Sequence, residues 1–380
     1  MRIEQLRITD PGTLGAKLDS LATLSPDLLL IFAAPRYFED ERLVTELGHR
    51  FPDAVRIGCS TAGEVSERGV EDNTAVITAI RFEHVEIRSG STDLADMSDS
   101  RAAGQRLAAE IKMDGLRTVL VFGQGVNING SALIEGMVEV LGDKVPITGG
   151  LAGDNGLFKK TWTLGRNGIS NRAIVAVGLA GGGIEVGHGS FGGWQAFGPA
   201  RKISRCADNV LYELDGEPAL NVYRRYLGEY ADQLPASGLL FPFAMLGDDQ
   251  NAVGLIRTIL GIDEEKGSLT LAGEIIEGSY LKLMHASTDA LVDGAENAAM
   301  AAAKMCRRHG QTLAILISCV GRKLVMGDRT DEEIEAVASV LGPNAVRTGF
   351  YSYGEISPYN QTVSCELHNQ TMTVTTIAES

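Results

Sequence analysis

Three segments of this chain share a glycine-rich pattern that closes on a glycine followed by an acid. They are Gly58-Cys59-Ser60-Thr61-Ala62-Gly63-Glu64, Gly149-Gly150-Leu151-Ala152-Gly153-Asp154 and Gly349-Phe350-Tyr351-Ser352-Tyr353-Gly354-Glu355. A carboxylate at the carboxyl end of a strand can meet the ammonium of an amino acid or an arginine. It can equally cap the backbone amides of its own turn. Arg322 offers a planar fork for a ligand carboxylate. Glycine lets backbone amides approach a ligand closely, and ligands of α/β sheets gather where strands end. The expected ligand-binding set is therefore Cys59, Ser60, Gly150, Asp154, Arg322, Tyr351 and Glu355, lining one cavity between the amino- and carboxy-terminal parts.

Iron chemistry would need a histidine. His188 lies among Gly187, Gly189, Gly192 and Gly193, with Phe191 and Trp194 close by. An imidazole with small neighbours and aromatics suits ligation of a haem iron, the glycines leaving room for a flat macrocycle. A hydrogen-bonded core histidine explains the same pattern. His368, in Leu367-His368-Asn369-Gln370-Thr371, admits the same two readings. No Cys-x-x-Cys-His occurs, which excludes covalent attachment; a haem at this chain would be a non-covalent haem b, with His188 favoured over His368 as the metal ligand.

Enzyme signatures are missing. The chain has no G-x-x-x-x-G-K-[ST], no G-x-S-x-G and no H-E-x-x-H. Gly123-Gln124-Gly125 is followed only by Gly130, which breaks the dinucleotide-binding spacing. Cys59 stands at a strand end, where nucleophiles sit, but no histidine is near it in sequence, and a buried inert thiol accounts for it. The expectation is a protein without an independent catalytic centre.

Charge narrows the partners. With 34 basic and 49 acidic residues the net charge is −15, which opposes phosphate backbones and anionic lipid, so neither nucleic acid nor membrane is an expected partner. Five scattered cysteines without a C-x-x-C pair suit a reducing compartment. Met1 to Asp10 lacks the basic-then-apolar run of a signal peptide, and no apolar stretch approaches the ~18 residues that span a bilayer. A cytoplasmic location follows as the expectation.

The elements that position these residues recur. Buried strands are predicted at Leu28–Phe32, Val119–Phe122 and Ala314–Ser318. Each is followed by an amphipathic helix, carrying Leu43, Val44 and Leu47, then Ile134, Val138 and Leu141, then Ile334, Val337 and Leu341. Gly142 and Gly342 mark helix ends, and Thr330 with Glu333 forms a predicted capping box. A second strand then enters each glycine-rich turn. Strand start and turn glycine are equally spaced in the first two copies (Leu28 to Gly58, Val119 to Gly149), while the third has extra residues around Arg322-Lys323. Hairpins are predicted after the turns, pairing Ala75–Ile80 with Val85–Arg88, Ala173–Leu179 with Ile184–His188, and Thr362–Leu367 with Met372–Ile377. The fold class is α/β, with mixed sheets built from three strand–helix–strand–hairpin repeats and an inserted region, about 196–287, before the third.

In these motifs and their order the chain resembles the FIST-domain proteins over almost its full length. The amino-terminal FIST pattern is matched by the turns at 58–64 and 149–154 and by His188 to Gly198. The carboxy-terminal pattern is matched by Val210 to Leu220, Ser318-Cys319-Val320-Gly321-Arg322, Gly349 to Glu355 and Leu367 to Thr371. The resemblance implies two domains, 1–195 and 196–380, and a sensory module for a small ligand, with amino acids proposed for some members. The standalone members include haem-containing nitric oxide sensors that act through a partner histidine kinase in two-component signalling. A haem-binding nitric oxide sensor is therefore the leading expectation, and a sensor of an amino acid or other metabolite without haem is the alternative.

Overall fold

The computed structural model describes residues 1–247, 252–306, 310–358 and 365–380. Its α-helices, among the described residues, are α1 (Leu14–Leu18), α2 (Arg42–Arg50), α3 (Ser100–Ile111), α4 (Gly130–Leu141), α5 (Ala219–Leu227), α6 (Thr288–Met305), α7 (Val320–Met326) and α8 (Asp331–Leu341). Among the described residues the strands make four sheets. The architecture is mixed α/β, with both parallel and antiparallel pairings in three of them.

Those three sheets have six strands each and are ordered alike. Sheet I runs Arg2–Ile8, Ala75–Arg81, Leu28–Ala33, Val55–Ser60, Thr163–Gly165, Gly168–Ser170. Sheet II runs Glu86–Asp93, Ala173–Ala180, Leu116–Gly123, Ile147–Leu151, Gly354–Pro358, Cys365–His368. Sheet III runs Ile184–Phe191, Met372–Glu379, Thr312–Cys319, Ala345–Ser352, Glu64–Ser66, Gly69–Glu71. In each, the two central strands are parallel and joined through a helix, α2, α4 or α8.

The expected hairpins do not form. Ala75–Arg81 ends in sheet I while Glu86–Asp93 opens sheet II; Ala173–Ala180 lies in sheet II while Ile184–Phe191 lies in sheet III. Residues 362–364 of the third expected pair lie outside the described residues, but Cys365–His368 and Met372–Glu379 again belong to different sheets. Short turns between consecutive strands suggested pairing, yet each such turn crosses from one sheet to the next. The true short hairpins are the small ribbons after the glycine-rich turns, and each is given away: the first copy's ribbon joins sheet III, the second's joins sheet I and the third's joins sheet II. A cut at 195/196 therefore runs through sheets II and III rather than between sheets.

Inner faces of the three sheets share one apolar core, with Leu28 and Leu30, Leu120 and Val177, and Leu313 and Ile315 all buried in it. At its centre Phe32, Phe122 and Phe350, one ring from each sheet, pack with centroids 4.9 to 6.0 Å apart. Outer faces are covered by helices: α2 on sheet I, α3 and α4 on sheet II, α6 and α8 on sheet III. Alanine-rich α6 lies so close to Ile184–Phe191 that a Cβ at Gly187 or Gly189 would collide with the carbonyl oxygens of Ala302 or Ala298.

Residues 195–285 form the fourth sheet, nine antiparallel strands with α5 packed in a core of its own. Helix α5 is followed by a 3-10 turn over Ala236–Leu240, and the next strand begins at Phe243. The extra residues of the third copy are α7. No capping box opens α8: Thr330 donates instead to the Gly327 carbonyl, and Glu333 is turned inward. Among the described residues no helix is long and apolar enough to cross a membrane.

Candidate functional site

The three glycine-rich turns meet. Gly153 N–H donates to the Ser60 carbonyl at 2.9 Å, and Asn155 N–H to the Thr61 carbonyl at 3.1 Å. Tyr353 N–H donates to the Leu151 carbonyl at 3.1 Å. Ala62 N–H donates to the Tyr351 carbonyl and Tyr351 N–H to the Gly63 carbonyl, at 2.9 and 2.8 Å, closing the ring. Each turn opens with a glycine for the same reason: a Cβ at Gly58, Gly149 or Gly349 would strike the carbonyl oxygen of Ile31, Val121 or Leu316 on the neighbouring parallel strand. So the turns do converge between the two parts of the chain, but they are packed on one another.

Their acids are consumed by that packing. Glu64 is fully buried and accepts from Thr61 Oγ1 and from both Thr74 N–H and Thr74 Oγ1 at 2.8 Å. Glu355 repeats the arrangement, accepting from Ser352 Oγ at 2.6 Å and from Thr371 N–H and Oγ1 at 3.2 and 3.0 Å. Burial pushes Glu64 up to about 7 and Glu355 up to about 8, against the hydrogen bonds that pull the other way. Asp154 accepts the N–H groups of Phe158, Lys159 and Lys160 at 2.7 to 2.8 Å and the Tyr353 hydroxyl. All three carboxylates cap turns, the alternative weighed for them from sequence.

The other expected ligand residues are also committed inside the protein. Cys59 is fully buried in the inner core, and desolvation raises its thiol pKa well above the ordinary value, which fits an inert thiol. Ser60 Oγ donates to the Gly153 carbonyl at 2.8 Å and accepts from Trp162 N–H. Gly150 faces Ile317 and the Phe350 ring, where a Cβ would crowd both. Arg322 is 0% exposed and held on every side: Glu333 accepts from it at 2.7 Å, and the carbonyls of Leu291 and Gly192 take its remaining N–H groups. Ser318 and the Tyr351 hydroxyl complete the set by donating to Glu333. Arg322 thus ties α7 to α6, α8 and the Gly192 loop and has no fork left for a ligand. Glu333, the carboxylate that fixes it, looked from sequence like a capping residue at a helix start.

An open space does lie beside these turns. A groove of about 390 Å³ runs between turn one (Ala62), the residues after turn two (Asn155, Gly156) and α7 (Val320, Lys323, Leu324). Lys323, adjacent to the arginine singled out from sequence, supplies its cation. Its ammonium donates to the Ala62 carbonyl at 3.0 Å, pairs with Asp72 and stands 5.5 Å from the centre of the Tyr351 ring. The Lys323 side chain is 20% exposed and Asp72 55% exposed, so both ends of the pair are reachable from solvent. The groove has room for a molecule the size of a common metabolite. Nothing in the motif pattern separated Lys323 from Arg322; only the direction each takes from a short helix does that.

Comparison with known proteins agrees with this arrangement of motifs. The FIST N domain family matches residues 27–217 and the FIST C domain family matches residues 219–358. The chain belongs to the FIST family. FIST domains are small-ligand sensing domains. An uncharacterised protein of Methanocaldococcus jannaschii is 24% identical over 263 residues, which is 60% of this chain and 48% of the relative, so the chain spans about half that relative's length. A crystal structure of cyanuric acid hydrolase from A. caulinodans aligns over 99% of both chains, with a TM-score of 0.37 and 11% identity. At that level the likeness carries no argument about fold or activity.

The haem implied for some FIST proteins does not fit the histidines proposed here. The room that Gly187 and Gly189 were expected to leave for a macrocycle is filled by the backbone of α6. His188 itself is buried on the opposite, inner face, the one shared by buried Ile184 and half-buried Val186, and its Nδ1 has no hydrogen-bond partner among the described residues. Burial lowers its pKa and keeps the ring neutral. His368 is buried as well, its Nε2 held 3.0 Å from the Ser357 carbonyl, and burial lowers its pKa to about 4. A macrocycle at either ring would have to displace core packing.

Proposed function

We propose that this FIST protein senses a small, haem-free metabolite bound in the groove beside α7, with Lys323 as the receiving cation. The observation that supports the reading is the solvent-reachable Lys323–Asp72 pair in a groove of about 390 Å³, next to turns whose three acids are engaged in capping. An amino acid suits the pair, its carboxylate replacing Asp72 at Lys323 and its ammonium meeting Asp72. Apolar contact would come from Val320 and the half-exposed Leu324. Reporting to a histidine kinase rests on the family resemblance alone, and nitric oxide sensing loses its support with the haem.

Calorimetry with an amino-acid panel tests this. A charge-assisted hydrogen bond is worth enough that Lys323→Met should weaken the best ligand roughly ten-fold or more. Unchanged affinity in that variant would remove the groove from consideration, and uptake of haem with a Soret band by the wild type would restore the gas-sensor reading.

A further inference from the structure

At Val320, where α7 begins, lies a second and much smaller space. It has a volume of about 10 Å³, room for a single water. Thr258, between two strands of the nine-stranded sheet, and Leu260 within that sheet line the space together with Val320, Tyr353 and Asn369, with the Phe158 ring centroid stacked 4.0 Å from that of Tyr353. Val320 lines both this crevice and the groove, so the two spaces adjoin at the start of α7.

Two buried atoms at this crevice have no hydrogen-bond partner among the described residues: Thr258 Oγ1 and Asn369 Oδ1, on residues 3% and 2% exposed. The asparagine's orientation is set from its other end, where Nδ2 donates to the His368 carbonyl at 2.8 Å. An amide oxygen is left, which can only accept. Buried polar groups in native proteins are nearly always satisfied, because an unmade bond forfeits the hydration it replaced. Among the described residues no charged side chain lines the crevice, so a cation inside it would meet no counter-charge from them.

We propose that the crevice is a binding site for one ordered water, which donates to Asn369 Oδ1 and exchanges a hydrogen bond with Thr258 Oγ1. This goes beyond the metabolite reading and does not depend on it. The site gives a role to the motif Leu367-His368-Asn369-Gln370-Thr371. Gln370 holds φ +63 in a buried turn, donates from Nε2 to the Leu239 carbonyl at 2.9 Å and accepts from Trp194 Nε1 at 2.8 Å. Those two bonds fasten the turn to the chain around the nine-stranded sheet, and the water adds the third fastening through Asn369. The start of α7 is thereby braced where the crevice adjoins the groove.

A high-resolution crystal structure of the full chain tests the site directly. The expected result is one single-atom peak within hydrogen-bond distance of both Asn369 Oδ1 and Thr258 Oγ1. Empty density, density for several bonded atoms, or an anomalous peak after a rubidium soak would each overturn it, the last by showing a monovalent cation. Denaturation of Thr258→Val, Asn369→Leu and the double variant gives a second reading. A shared water makes the effects on the unfolding equilibrium constant depart from multiplicativity by roughly three-fold or more. Multiplicative effects overturn the bridge even if a water binds one side.

Discussion

Arg322 and Glu333 show how a buried charge pair behaves when neither member can reach water. Removing one partner strands the other, so Arg322→Ala or Glu333→Ala should each lower stability by about 3–5 kcal/mol. The apolar double change Arg322→Met with Glu333→Leu should lower it far less, and urea denaturation of the three variants checks this. The turn carboxylates give a pH signature of definite sign. Glu64 and Glu355 have folded pKa values of about 7 and about 8 against an ordinary 4.5, so the folded state holds protons that the unfolded chain has released. Their contribution is fully present below about pH 4.5 and is lost as pH rises towards 8, at no more than about 1.4 kcal/mol per pH unit for each group. His368, lowered to about 4, works in the other direction, its contribution lost as pH falls below 6.5. In Glu355→Gln the decline between pH 5 and 8 should become shallower, and an unchanged slope would assign it to other groups.

Among the elements, the most exacting contact is that of α6 on sheet III. Gly189→Ala would drive a Cβ into the Ala298 carbonyl and should destabilise the protein by about 3 kcal/mol or more, or prevent folding. Gly182→Ala meets open space and should stay within about 1 kcal/mol of wild type, which thermal unfolding of the pair will show. These two glycines stand seven positions apart, and nothing in composition separates them. What periodicity did reveal was local: α2, α4 and α8 lie where Leu43, Ile134 and Ile334 predicted helices, and Leu28–Ala33, Leu116–Gly123 and Thr312–Cys319 are buried strands. Partners of strands were not legible. Ala75–Arg81 and Glu86–Asp93 alternate and adjoin like a hairpin, and only the shared core decides that they part. Of the candidate groove only the neighbourhood was legible: none of the seven expected ligand residues lines it, though Asp154 and Arg322 adjoin lining residues in sequence. The turns were visible as glycine-rich segments that converge, but whether Arg322 or Lys323 faces the groove depends on the rotation of α7 and on Glu333, which no spacing rule predicts.

At the scale of the whole molecule, sheets II and III take strands from both sides of residue 195. Residues 1–195 and 196–380 expressed apart should each lack cooperative unfolding, and their co-expression should restore a complex that purifies together; an independently folded half would contradict the interlocking described above. The same exchange of ribbons orders events in time. Val65 pairs early with Val70 in its own ribbon, but on its other edge its partner is Gly349, on a strand that leaves the ribosome near the end of synthesis. At about 5–20 residues per second, the ribbon Glu64–Ser66 waits roughly 15–60 s with its outer edge unsatisfied. Sheet I can be complete in that interval, since all its strands lie before residue 171. Its nascent neighbour cannot, and an open strand edge is an invitation to pair with another chain. Each newly made molecule therefore passes through a period in which its yield depends on chaperones and dilution, before the last strand closes the ring.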